Sequence, residues 1–187
     1  MTVLWLLRHG QTDWNLEGRW QGQSQDAPSL NDMGRAQAIA AAGLLQDQKI
    51  QAVYSSDLPR ARQTAELIAA PLGLTVALEP RLREIHLGEW EGMQYDEIAS
   101  RYPQDLAERE SDPVHSSAPG GELPSEVTER VLIAVDEISK RHPDGSVLIV
   151  SHGVALAVII CRAEGFPIED VYDHLPENAM PYRVLWA

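Results

Sequence analysis

Two segments of the chain set a histidine and a glycine immediately after an apolar run. Leu6-Leu7-Arg8-His9-Gly10 does so near the start, and Ile149-Val150-Ser151-His152-Gly153 near the end. A third apolar run, Ile50 to Tyr54, leads through Ser55-Ser56-Asp57 into Pro59-Arg60-Ala61-Arg62. Imidazole serves as nucleophile, proton carrier or metal ligand. Guanidinium offers a planar fork of donors that matches phosphate oxygens. A metal site is the first rival, because imidazole binds zinc well, but it would ask for a carboxylate or a third histidine and would not want two fixed cations beside the ion. His9 and His152 with Arg8 and Arg60 therefore describe a phosphate-transfer pocket better than a metal pocket. Either histidine alone is more often a surface residue at a strand end; the paired contexts and the matching arginines favour a site. No P-loop, dinucleotide glycine pattern or Gly-x-Ser-x-Gly elbow competes.

These residues need a scaffold that brings strand ends together. Val3 to Leu7, Ile50 to Tyr54, Leu74 to Leu78, Val147 to Val150 and Tyr182 to Trp186 read as strands. Pro181 suggests an edge or a strand start for the last. Between them, Leu30 to Leu45 reads as a helix capped by Asn31, with Ala36, Ile39, Ala40, Leu44 and Leu45 as its apolar positions. A second helix starts at Pro59, where a missing N–H costs nothing, and runs to about Ala70. Val127, Val131, Val135 and Ile138 stripe a third, and a buried helix follows His152 to about Arg162. Residues 81–124 are less regular, with one helix expected near Tyr95 to Arg101 and a loop from Asp112 to Pro124. Alternating strands and helices predict a three-layer α/β/α domain over residues 1–187, with a mostly parallel central sheet and a small irregular or helical cap at roughly 90–124. Ligands in such sheets bind beyond the carboxyl ends of the strands, where His9, His152, Arg8 and Arg60 would converge if their strands are neighbours.

Composition narrows the partners. The chain has 187 residues, 44% hydrophobic and 23% charged, which suits one domain with a sizeable core. A formal charge of −13 argues against nucleic acid, which wants a basic stripe, yet leaves small phosphorylated ligands open through local arginines. One cysteine, Cys161, excludes an internal disulfide and a cysteine cluster, so a cytoplasmic location is expected. The start lacks a signal-peptide pattern, and the longest apolar stretch, broken at Ser151-His152-Gly153, is too short for a membrane span.

Five segments in order resemble the histidine phosphatase superfamily, the phosphoglycerate mutase-like proteins: "RHGQTDWN", "LNDMGRAQA", "SSDLPRARQTAELIA", "LREIHLGEWEG" and "SHG". The fourth block looks most like small cofactor-independent phosphatases of broad specificity or of the α-ribazole type. The resemblance implies an acid-type phosphomonoester hydrolase in which His9 forms a phosphohistidine, Arg8, Arg60 and His152 hold the phosphoryl oxygens, and Asn15 and Gln21 add neutral hydrogen bonds. Glu84 would protonate the leaving oxygen and later help activate water, a role that favours a partly desolvated seat. Nothing but the resemblance separates Glu84 from Glu89, Glu91 or Asp96. No metal or other cofactor is implied. The segment after the signature is about two residues longer than the family pattern, which leaves the loop from Gln23 to Ser29 without a role, and Leu123 stands where relatives carry Ser or Thr.

A phosphoglycerate mutase would need further basic residues over the site, and residues 90–124 offer only Arg101 and Arg109 among many acids. Hydrolysis of a small phosphorylated metabolite is thus expected, with mutase-type transfer or a non-catalytic phosphate-binding module as alternatives. Trp14, Trp20, Trp90, Met93 and Tyr95 are candidates for a leaving-group wall, or simply core. His86, His115, His142 and His174 read as structural or exposed.

Overall fold

Apolar runs of four to seven residues need a partner on both faces, and the sheet supplies it. The computed structural model describes all 187 residues. Its five strands are β1 (Thr2–Arg8), β2 (Ala52–Ser55), β3 (Val76–Leu78), β4 (Ser146–Ser151) and β5 (Tyr182–Trp186), ordered β3-β2-β4-β1-β5. Pairings β3–β2, β2–β4 and β4–β1 are parallel, and β5 runs antiparallel along β1 at one edge. The register sets Arg8 beside Ser151 and Ser55 beside Val150, so β1, β4 and β2 finish at the same edge.

The chain forms seven helices, α1 (Asp13–Glu17), α2 (Asp32–Leu45), α3 (Pro59–Leu72), α4 (Tyr95–Arg101), α5 (Pro103–Ser111), α6 (Pro124–Arg141) and α7 (Gly153–Glu164), of which α2 and α3 cover one face of the sheet and α6 and α7 the other. Alternate residues of β1 point to different layers. Leu4 and Leu6 join a core with Val131, Val135, Leu156 and Ile159 from α6 and α7, whereas Leu7 joins Val53, Val150, Ala61 and Ile68 under α2 and α3. Residues from the 81–124 region, including Trp90, Ile98, Leu106 and Ala118, extend the first of these cores.

Asn31 caps α2 as expected, its side chain accepting from Gly34 N–H at 2.8 Å. The buried face of that helix differs from the expected one. Gly34, Ala38, Ala41, Ala42 and Leu45 point inward, while Ile39 and Leu44 are each 60% exposed and Ala36 and Ala40 face solvent. Close approach, not bulk, selects the face. A Cβ on Gly10 would strike the carbonyl of Gly34, and a Cβ on Gly34 would strike Gln11, so two glycines let α2 lie directly on the turn after β1. The sequence singles out only the helix near Tyr95 to Arg101 in the 90–124 region expected to be irregular or helical, and that region also holds α5. Pro103 occupies its first turn, and Leu106 and Arg109 are its buried positions. Too few apolar residues remain to mark it as a helix by periodicity.

Candidate active site

The turn after β1 delivers His9, which is 2% exposed, to the carboxyl edge of the sheet. Its surroundings dictate its tautomer. Nδ1 lies 2.8 Å from the carbonyl of Gly10, which can only accept, so Nδ1 carries the hydrogen. Nε2 receives the Nε–H of Arg60 at 3.2 Å, so Nε2 presents its lone pair. The backbone of the turn is fixed as well: Gly10 N–H donates to Thr64 Oγ1, and Asn178 Nδ2 donates to the His9 carbonyl at 2.7 Å.

Arg60, on the first turn of α3, is 2% exposed and donates its Nη2 to the carbonyl of Gly22 at 2.8 Å. Burial pushes its guanidinium down to about 10, against the opposing pull of Glu84. Arg8, at the end of β1, donates Nη1 to the carbonyl of Pro176, while its buried Nε has no partner. His152 follows β4 and packs its ring 5.2 Å from that of His9. Its Nε2 meets Ser56 Oγ at 2.8 Å, and its buried Nδ1 has no partner.

Glu84 caps α7 from outside that helix. Its Oε1 accepts from Ile85, Val154 and Ala155 N–H at 3.0, 3.1 and 3.4 Å, satisfying donors at the start of α7 that no preceding turn can serve. This seat is half-buried, and its polar partners are backbone N–H groups. The carbonyl of Glu84 is held too, by Nε2 of Gln23 at 2.9 Å and Nη2 of Arg130 at 3.0 Å. Gln23 N–H donates to Glu91 Oε1, so the longer loop after the signature braces Glu84.

Asn15 locks its Oδ1 onto Thr12 N–H and Oγ1 in a capping box at the start of α1, and Gln21 is buried with its Oε1 unpartnered. Arg8, His9, Asn15, Gln21, Arg60 and Glu84 line one cavity of about 240 Å³. His152 is fully buried beside His9 and is not among the lining side chains. Of the aromatic candidates, Trp20 lines this cavity and half-exposed Tyr95 a neighbouring one, whereas Trp90 and Met93 are core. Trp14 lies against Gly92. His142 bonds Tyr54, His115 bonds Asp112, and His174 stacks on Phe166, all away from the cavity. The lining also includes Arg19, Arg109 and Tyr172. Sequence reasoning passed over Arg19 and Tyr172 because they carry no strand-end signal, and counted Arg109 without placing it.

Both imidazoles sit well below the ordinary histidine value of 6.5, chiefly through burial and then through Arg60. In the unfolded chain each takes up a proton near pH 6.5, whereas in the fold it does so only at lower pH. Between those limits the unfolded state binds more protons. The stability that the two neutral imidazoles leave intact above pH 6.5 therefore declines as the pH falls below it. Urea midpoints should fall steadily from about pH 6.5 downward, and His152→Gln should roughly halve the slope; a flat profile contradicts the buried neutral pair.

Residues 4–186 match the family described as histidine phosphatase superfamily, branch 1. Phosphoserine phosphatase 1 of Hydrogenobacter thermophilus is 34% identical over 179 residues, 96% of this chain and 84% of that protein. A protein of Erwinia tasmaniensis named "Probable phosphoglycerate mutase GpmB" is 36% identical over 167 residues, 89% of this chain and 77% of its own length. The crystal structure of the α-ribazole phosphatase from Shigella flexneri superposes with a TM-score of 0.87 at 28% identity, covering 98% of this chain and 94% of that one.

Proposed function

The chain belongs to the histidine phosphatase superfamily and is a phosphomonoester hydrolase that acts through a phosphohistidine, and from that premise we propose that His9 is its nucleophile. The observation that carries this assignment is the placement of His9 between an obligate acceptor, the Gly10 carbonyl, and an obligate donor, Arg60 Nε–H. A neutral imidazole results whose Nε2 lone pair is held toward Arg60, and it is released for attack as that guanidinium turns to the phosphoryl oxygens.

In the first step Nε2 attacks phosphorus, the ester P–O bond breaks, and the leaving oxygen takes a proton from Glu84. In the second, Glu84 accepts a proton from water, whose oxygen attacks the phosphohistidine; the P–N bond breaks and inorganic phosphate departs. Arg8 and Arg60 neutralise the charge spread over the equatorial oxygens. In this reading the unpartnered Nδ1 of His152, protonated when Ser56 gives its hydroxyl hydrogen to Nε2, is a further donor, although the ring is buried beside His9 and off the lining of the cavity. Asn15 and Gln21 complete the phosphate shell.

The substrate is a small phosphorylated metabolite; the relatives bear the names of phosphoserine, phosphoglycerate and α-ribazole esters. The reaction uses no metal in this reading, because His9 supplies the nucleophile and Arg8 and Arg60 supply the positive charge at the phosphoryl group. A cytoplasmic location fits the single, buried Cys161. No helix is long and apolar enough to cross a membrane.

Hydrolysis of p-nitrophenyl phosphate in the presence of EDTA, with trapping of an acid-labile phosphoenzyme, tests the assignment. Label on His9 supports it; a requirement for added metal, or label on another residue, overturns it. Mutase-type transfer, favoured by the names of several relatives, predicts interconversion of 2- and 3-phosphoglycerate in place of phosphate release.

A further inference from the structure

Arg109 is a buried cation that the phosphatase chemistry does not use. It stands at the C-terminal end of α5 and is 8% exposed. Three aromatic rings enclose its guanidinium, with centroids 5.0 Å away for Trp20, 5.6 Å for Trp90 and 4.9 Å for Tyr172. Nη2 donates to the Tyr172 hydroxyl at 2.7 Å, while Nη1 is buried and has no partner. Aromatic faces attract a cation, but they leave its in-plane N–H groups unsatisfied.

Its position gives that donor a use. Arg109, Trp20 and Tyr172 line the phosphate cavity and also an adjoining cavity of about 390 Å³, so they form the wall between the two. Arg19 lines the phosphate cavity as well, but Glu17 at 2.6 Å and Glu97 at 3.6 Å already neutralise it. Arg109 bonds no acid. Charge also limits the ligand: Glu110, Glu169 and Asp173 stand on the far side of the wall, which disfavours a second dianionic phosphate and tolerates a single negative charge.

We infer that Arg109 recognises a carboxylate on the leaving alcohol, making this a phosphatase selective for phosphomonoesters of hydroxy acids. The inference rests on the phosphatase reading above and adds the class of its leaving group. Arg8, His9 and Arg60 take the phosphate end of the molecule. Arg109 takes the carboxylate through its unsatisfied edge, held flat by the rings around it.

A matched pair of esters tests this. 3-Phosphoglycerate and glycerol 3-phosphate differ by a carboxylate in place of a hydroxymethyl group. The parent chain is expected to favour the acid in kcat/KM by about 30-fold or more, as a desolvated charge pair demands. In Arg109→Met, whose side chain fills space among aromatic rings, the ratio should fall to within about threefold of unity, mostly through KM, and Arg109→Lys should lie between. A ratio near unity in the parent overturns the inference, as does a ratio that survives Arg109→Met while both rates fall together. Calorimetric affinities of the two esters for the parent protein decide the same question without turnover. Should hydrolysis fail altogether, a tighter acid still supports carboxylate recognition and equal affinities overturn it.

Discussion

His9→Ala is expected to lower kcat/KM for p-nitrophenyl phosphate by at least about 10⁴-fold, because it removes the bond-forming atom itself. Arg8 and Arg60 would remain, held by the carbonyls of Pro176 and Gly22 even though Arg60 loses its bond to the imidazole, so inorganic phosphate should still bind. The loss would thus appear in kcat with a modest change in KM. Stability moves differently with pH. A buried imidazole that resists protonation destabilises the fold below pH 6.5, so removing it flattens the acid limb of the stability profile. Steady-state kinetics, phosphate calorimetry and urea unfolding at two pH values check the three parts separately. Activity within about tenfold of the parent would exclude His9 as the nucleophile, whatever the stability data gave.

The strand ends were legible because their signals are local. Apolar runs ending at Arg8-His9-Gly10 and Ser151-His152-Gly153 need only the rule that buried parallel strands deliver ligands at their carboxyl edge, and the order β2-β4-β1 makes them neighbours. The face of α2 was misread because periodicity weighs Ile39 and Leu44 above Gly34 and Ala38, whereas contact with Gly10 and Gln11 demands the small residues. Glu84 could not be selected from its neighbours by spacing, since its partners, the N–H groups of Val154 and Ala155, lie about seventy residues away. Arg109 was counted as one weak cation in an acidic region. Only the packing of α5 against Trp20, Trp90 and Tyr172 turns it into a wall of the cavity.

Arg130→Met is expected to cost about 3–5 kcal/mol of stability and to slow hydrolysis of alkyl phosphates far more than of aryl phosphates. Arg130, on α6, grips the Glu122 carboxylate with Nε at 2.6 Å and Nη2 at 2.9 Å, and both side chains are about one-fifth exposed. Removing one partner strands the other charge in a poorly solvated place, which sets the size of the stability loss. The remaining donors bind backbone: Nη1 reaches the carbonyls of Arg81 and Arg83 at 2.7 and 2.8 Å, and Nη2 that of Glu84 at 3.0 Å. Arg130 thus fixes the segment that aims the Glu84 carboxyl, a positioning role exercised from outside the cavity. Without it, Gln23 alone would hold the Glu84 carbonyl. An aryl leaving group departs without a proton, so p-nitrophenyl phosphate tolerates a misplaced acid; an alkoxide does not, and its hydrolysis should lose roughly 10²-fold in kcat, the scale of general acid catalysis. KM should move little, since the phosphate ligands are untouched. Urea unfolding measures the first effect, and the ratio of kcat for glycerol 3-phosphate and p-nitrophenyl phosphate the second. A purely structural Arg130 would lower stability and leave that ratio where it was.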